Sequence, residues 1–159
     1  IFKERKSKRK ILKHEVEKFN IPFDKYKELK QGMDWVDDNG VVIDNSLLTA
    51  VSSAAHSYAF CSDTRYNEEL IEKVAGVDLL YHEATFKKKL SERAMATGHS
   101  TTEEAALIAL KAGVKNLLIG HYSQRHRNLD EMLIESREIF ERTHLASSGL
   151  VLDFKILVS

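Results

Sequence analysis

The sequence predicts an α/β fold organised around an open sheet, and three short apolar runs are what predict it. Residues 58–61, 77–81 and 116–119 are strand-like, and each is followed by a stretch with helical character. Each run also ends, at its carboxyl side, in groups that bind metal or move protons: Ser62-Asp63-Thr64, His82-Glu83-Ala84-Thr85 and Gly120-His121-Tyr122-Ser123. Open α/β sheets collect such loops along one edge, where their chemistry is usually placed. An Asp, a His-Glu pair and a His in that setting, with a fourth loop at Gly98-His99-Ser100-Thr101, point to a hydrolytic metal centre.

Residues 1 to about 50 read as an irregular arm. A helix over 11–19 is broken at Asn20-Ile21-Pro22, because proline lacks a donor and restrains the residue before it. Asp24 is placed to cap a second short helix running to Leu29, which Gly32 stops. Asp38-Asn39-Gly40 signals a turn ahead of a short strand at 41–43. This stretch has few large apolar residues for its length, so it is expected to lean on another surface or to project from the domain.

From residue 57 onward strands and helices alternate. Helices are expected over 67–74, 87–95, 101–112 and 129–140, with a closing strand at 150–154. The third helix has the strongest signature. Thr101-x-x-Glu104 makes a capping box, Ala105, Ile108, Ala109 and Ala112 share one face, and Gly113 terminates it.

Composition narrows the class. The chain has 159 residues, enough for one ordinary core, and its 43% hydrophobic content is that of a soluble globular protein. No apolar stretch is long enough to cross a bilayer as a helix, and the first residues carry no signal-peptide pattern, so no membrane partner and a cytoplasmic location are expected. The single cysteine, Cys61, falls in a strand-like run and reads as a small core hydrophobe in a reducing compartment. The formal net charge of zero hides an asymmetry: residues 1–31 hold eleven Lys or Arg against five acids, and the remainder is correspondingly acidic. The dense basic run from Lys3 to Lys13 suits a polyanion, and equally suits a solvated helix face. The chain opens on Ile1 rather than Met, so it is expected to be a piece of a longer product.

At the four loops the sequence resembles ribonuclease Z, the tRNA 3′-processing endonuclease family of the metallo-β-lactamase superfamily. The segments that carry the resemblance are Cys61-Ser62-Asp63-Thr64-Arg65, His82-Glu83-Ala84-Thr85-Phe86, Gly98-His99-Ser100-Thr101-Thr102 and Gly120-His121-Tyr122-Ser123-Gln124-Arg125. Leu29-Lys30-Gln31-Gly32 and Asp38-Asn39-Gly40-Val41-Val42-Ile43 add to them. The resemblance implies a zinc-dependent endoribonuclease that removes 3′ trailers from precursor tRNA by two-metal phosphodiester hydrolysis. Asp63 matches the carboxylate bridging two zinc ions, and His121 matches the single imidazole ligand of the second.

His99 and Glu83 match the family's proton-delivery pair, which protonates the departing ribose 3′ oxygen. The helix expected after Thr101 would disfavour imidazolium at His99, and the Glu83 carboxylate would oppose that shift and orient the ring. The plainer alternative is that Glu83 caps a loop and His99 helps start a helix. His82 reads as a structural member of its loop. Arg125 matches an arginine placed to contact phosphate or the RNA 3′ region, and His126 stands where an aromatic Tyr is usual.

Two departures shape the expected molecule. The family's His-x-His-x-Asp-His signature has no counterpart, and no two histidines here are spaced as His-x-His. The expected architecture is therefore the carboxyl-terminal half of a metallo-β-lactamase αββα sandwich (residues 51–159) with an amino-terminal irregular basic arm (residues 1–50). Alone it should bind zinc weakly if at all and cleave no RNA, and its expected partners are the missing amino-terminal half, precursor tRNA and a second copy in a homodimer. The arm corresponds to the family's tRNA-gripping exosite, but has Ile21-Pro22-Phe23-Asp24 where a Gly-Pro-rich turn is common, so Lys8, Arg9 and Lys10 are the expected phosphate contacts. Other readings are a metallo-β-lactamase-fold phosphodiesterase or sulfatase, a non-enzymatic RNA-binding fragment, and a folded but inert one.

Overall fold

The computed structural model describes residues 1–4, 8–52, 55–126 and 128–154. Arg5 and Lys6, part of the basic run, lie outside the described residues. The chain divides into two compact units, one of residues 4–55 and one of residues 1–3 with 56–159. The strand Phe2–Lys3 (β1) belongs to the larger unit.

The smaller unit runs through Lys10–Ile11 (β2), Lys13–Lys18 (α1), Tyr26–Leu29 (α2), Trp35–Val36 (β3), Val42–Ile43 (β4), Asn45–Leu48 (α3) and Thr49–Ala50 (β5). It has a small core of its own, which the reading as an irregular arm did not anticipate. Val16, Ile21, Leu29 and Leu48 are buried together, with Trp35, Tyr26 and Ile43 packed around them. Asn45 is buried and donates to the carbonyls of Leu29 and Met33, so one amide joins α2, the following loop and α3. Asp24 does not cap a helix: a 3₁₀ turn at Phe23–Lys25 intervenes, and no side chain caps α2. The turn at Asp38-Asn39-Gly40 closes a hairpin, with the Asp37 carboxylate accepting from the N–H groups of Asn39 and Val41.

The larger unit holds Ser57–Cys61 (β6), Glu69–Lys73 (α4), Leu79–Glu83 (β7), Ser91–Thr97 (α5), Thr102–Ala112 (α6), Leu117–Gly120 (β8), Asp130–Arg137 (α7) and Thr143–Leu145 (β9). Its sheet has the order β1-β6-β7-β8-β9, with β1 antiparallel and the other four strands mutually parallel. Residues Ala59, Leu80, Leu117 and Ile119 point into one core with Ala105, Ile108, Ala109 and Ala112 of α6. The alanines let the helix lie close to the sheet. Both halves of the Thr101/Glu104 capping box are formed.

Several elements differ from the sequence reading. The closing strand is Thr143–Leu145, paired with β8 through Leu117↔Thr143 and Ile119↔Leu145, not residues 150–154. Leu150, Leu152 and Phe154 instead line a cavity with Tyr58, Leu79 and Leu118, so their apolarity serves packing against the face of the sheet away from the core. The expected helix at 87–95 splits into a 3₁₀ turn at Lys88–Leu90 and α5. The second strand runs two residues later than expected, so His82 and Glu83 are strand residues rather than loop residues.

Asp78 sets where that strand begins. It is buried, accepts from the N–H and hydroxyl of Ser57 at 2.7 Å each, and pairs with Lys115 at 2.6 Å. Burial pushes its pKa up, but the bonds from Lys115 and Ser57 outweigh that and hold the carboxyl below its usual value. A depressed folded pKa stabilises the fold above the unfolded value and loses that contribution as pH falls through the folded one. Asp78→Asn should therefore cost about 1–3 kcal/mol at pH 7 in urea unfolding. The difference from wild type should shrink once the pH falls below the ordinary aspartate value of 3.8.

Candidate metal centre

The carboxyl ends of β6, β7 and β8 deliver the site, because parallel strands in register finish along one edge. Cys61 pairs with His82, and Glu83 with Gly120, so Asp63, Glu83 and His121 lie just beyond or at those ends. Asp63 and His121 both adopt positive φ, 50° and 60°, a conformation that costs a non-glycine residue about 1–2 kcal/mol. Strain of this kind gathers at functional sites. Gly120, just before His121, has no room for a side chain: an added Cβ would lie 2.5–2.9 Å from the Tyr81 ring and hydroxyl. His99 comes from a different element, the loop after Gly98, whose left-handed φ of 77° ends α5 and lets the chain turn toward β7.

Glu83 is the hub of this edge. It has no exposed surface, yet its carboxylate accepts from Thr64 N–H at 3.0 Å, Thr85 N–H at 3.1 Å, Thr85 Oγ1 at 2.7 Å and His99 Nδ1 at 2.7 Å. Burial raises its pKa, but the bonds from the Thr85 hydroxyl and His99, with the N–H groups of Ser100 and Thr85, hold it below the ordinary value. The carboxylate is thus an ionised acceptor that orients the His99 ring.

Asp63, His99 and His121 bring one ligand atom each within 4.8 Å of one another. His121 Nε2 stands 3.2 Å from Asp63 Oδ1. Two donors each about 2.1 Å from one tetrahedral zinc ion are about 3.4 Å apart, so this pair fits a shared ion. The hydrogen-bond network supports the same assignment. Thr85 has one hydroxyl proton and two acceptors near it, the Glu83 carboxylate at 2.7 Å and the His121 carbonyl at 2.9 Å. The charged acceptor is the stronger, so Thr85 donates to Glu83 and its oxygen accepts from His121 Nδ1 at 2.9 Å. With Nδ1 engaged by Thr85, Nε2 is the ring nitrogen that faces the Asp63 carboxylate and is placed to serve as a ligand atom.

Other residues fall in different places. His82 is fully buried, with Nδ1 on the Glu83 carbonyl at 2.7 Å and no partner for Nε2 among the described residues. Burial lowers its pKa, and it is a neutral part of the strand. Arg125 lines the cavity beside His99 and His121. In the smaller unit Lys8 and Lys10 are exposed, whereas Arg9 is half-buried with its guanidinium on the hydroxyl and carbonyl of Thr49. That engagement, across 40 residues of sequence, leaves Arg9 less free for a ligand than the sequence suggested. Sequence reasoning missed Thr85. Its place in a His-Glu-Ala-Thr string was the available signal, but its two histidine contacts arise only in the fold.

No protein-family model matches the chain. Ribonuclease Z of Bacteroides thetaiotaomicron is 41% identical over 150 residues, covering 94% of this chain and 48% of that protein. Ribonuclease Z of Porphyromonas gingivalis strain W83 is 40% identical over 153 residues, covering 96% of this chain and 50% of that protein. The chain is homologous to ribonuclease Z. It spans about half the length of the curated ribonuclease Z relatives it matches. Among solved structures, the metallo-β-lactamase fold protein YhfI of Bacillus subtilis superposes with a TM-score of 0.58 at 24% identity over 76% of this chain and 47% of that one. A long-form RNase Z from yeast gives a TM-score of 0.53 at 28% identity over 64% of this chain and 14% of that one. The fold is accordingly metallo-β-lactamase-like, and the loops that carry the ribonuclease Z resemblance are those that meet at Glu83.

Thr85→Val removes the hydroxyl joining Glu83 to His121 while keeping the side-chain shape. It should cost about 1–2 kcal/mol in unfolding free energy. The imidazole ¹⁵N shifts of His121 should change from a pure Nδ1–H tautomer to a mixture, and Thr85→Ser should restore them. An unchanged His121 spectrum in Thr85→Val would show that the hydroxyl does not set the tautomer.

Proposed function

We propose that this chain is the carboxyl-terminal half of a zinc-dependent endoribonuclease that removes 3′ trailers from precursor tRNA. One observation carries the reading beyond homology: a buried Glu83 pairs with a partly exposed His99 beside an Asp63–His121 pair spaced for a shared ion. In this reading Asp63 and His121 would be the residues of this chain that hold the zinc. Zinc held there supplies Lewis-acid stabilisation for the charge that develops on the phosphoryl oxygens.

The chain's own groups handle the proton. Glu83 engages His99 Nδ1, so Nε2 is the nitrogen left to face substrate. As a water oxygen bonds to phosphorus and the P–O3′ bond breaks, His99 gives its proton to the departing ribose 3′ oxygen. The mature tRNA leaves with a 3′-hydroxyl, the trailer keeps a 5′-phosphate, and the proton lost by the water passes to a base outside this chain. Glu83 stabilises the imidazolium before transfer and keeps the ring in place afterwards.

Asp63 and His121 are fewer than the three protein ligands of ordinary catalytic zinc sites. The remaining ligands belong, in our reading, to the amino-terminal half, which would also cover the outer face of the sheet. Parallel sheets bury both faces, yet here Phe60 is 56% exposed while stacked on Tyr81 at 4.5 Å. The absent half is the partner we assign to that face. Residues 1–50 serve as an exosite for tRNA through Lys8 and Lys10, with Arg9 in a supporting role, in a cytoplasmic homodimer.

Combining the chain with an amino-terminal half should restore zinc uptake and precursor-tRNA cleavage. Asp63→Ala and His121→Ala should each lower zinc content, read by mass spectrometry, together with activity. His99→Ala should retain zinc yet lose roughly 100- to 10,000-fold in cleavage rate. Wild-type cleavage by His99→Ala would end its assignment as proton donor.

A second expectation concerns charge. Lys8→Glu with Lys10→Glu should weaken precursor-tRNA binding and flatten its salt dependence, because phosphate contacts act through counterion release. Binding that is unchanged in both respects would remove these lysines from the substrate path.

A further inference from the structure

Beside His99 and His121 lies a cavity of about 490 Å³ whose walls also include Phe86, Arg93, Gln124 and Arg125. Two guanidinium groups and two imidazoles line it, and no carboxylate does among the described residues. Glu92, next to Arg93 in sequence, lines a different cavity with Arg65, Tyr66 and Met95. Arg93 and Arg125 are the charged groups of its lining, and both are positive, which suits an anion on their side of the cavity.

Arg93 sits on α5, is exposed, and forms no ion pair among the described residues. Its guanidinium carbon lies 6.0 Å from the centre of the Phe86 ring. Phe86 is itself buried and meets the His99 ring at its edge, with centroids 6.2 Å apart. A single aromatic ring thus holds the guanidinium on one side and the imidazole on another. The planar guanidinium over that ring is pre-organised, with donors left for a second ligand. Arg93 and His99 line the same cavity, so an anion held by Arg93 shares that cavity with the His99 ring.

We propose that Arg93 binds a phosphate of the RNA strand immediately flanking the scissile bond, and that Phe86 holds it in position for this. The inference rests on the endoribonuclease reading for the identity of the anion, and it adds a substrate-binding residue to that site. Guanidinium and phosphate form paired hydrogen bonds that a lysine ammonium does not reproduce, whereas lysine keeps the charge.

The test uses this chain, a fluorescent 12-nucleotide single-stranded RNA and anisotropy titrations at several NaCl concentrations. Arg93→Ala should weaken binding about fivefold or more and lower the slope of log affinity against log salt by about 0.7, the value for one phosphate contact on a single strand. Arg93→Lys should keep the slope with only part of the affinity. Arg93→Ala should also melt at the wild-type temperature, since the side chain is exposed. An Arg93→Ala protein with wild-type affinity and slope overturns the proposal, as does a wild-type chain that binds no RNA. Zinc uptake with the amino-terminal half is measured on the same wild-type and variant samples. Failure to take up zinc while the Arg93 effect persists counts against the metal-centre reading alone.

Discussion

A carboxylate with no exposed surface is the constraint on which this edge of the molecule depends. Burying an ionised Glu83 is costly unless its oxygens are satisfied, and the fold satisfies them from three directions: Thr64 after β6, Thr85 after β7 and His99 after α5. Each bond that stabilises the charge also fixes a loop. The Thr64 N–H places the backbone beside Asp63, and the Thr85 hydroxyl reaches His121. His99 takes its ring orientation directly. Removing any one donor would leave a buried charge less fully satisfied, so the loops are positioned as a set and not singly.

Much of this was legible because strand ends and helix caps are local. The three apolar runs located β6, β7 and β8 to within two residues, and Thr101-x-x-Glu104 located the start of α6. With the strands parallel, their carboxyl ends had to meet at one edge, so Asp63, Glu83 and His121 could be grouped from sequence order alone. What was not legible depends on contacts between distant residues. Thr85 reaches His121 across 36 positions, and Arg9 reaches Thr49 across 40. The strand Thr143–Leu145 is three residues long with a histidine in its centre, and pairing with β8 rather than its own composition makes it a strand. The more apolar stretch at 150–154 looked the better candidate and packs against the sheet instead.

The small unit teaches the complementary lesson. Val16, Ile21, Leu29 and Leu48 are spread thinly over the sequence and show little periodicity, so a reading by windows finds no core there. Folding collects them because Asn45 and Thr49 anchor the backbone between. Asn45 bonds two carbonyls, and Thr49 bonds Asn45 in turn. A satisfied polar hub can organise a few buried aliphatic side chains that composition alone would leave as a loop.

The site also shows how a candidate pair of metal ligands can be held in shape by the fold alone. An exposed carboxylate and imidazole would ordinarily sample several rotamers, and ordering them on binding would cost affinity. Here the backbone at Asp63 and His121 is held in the left-handed region, Gly120 is confined by Tyr81, and Thr85 grips Nδ1 of the imidazole. Tyr81 is in turn stacked on Phe60, on the face of the sheet left partly exposed. Tyr81 thus contacts Phe60 on that face and also Gly120, one residue from the candidate ligand His121. The packing of Tyr81 on Gly120 is accordingly the contact by which that face of the sheet bears on the position of His121.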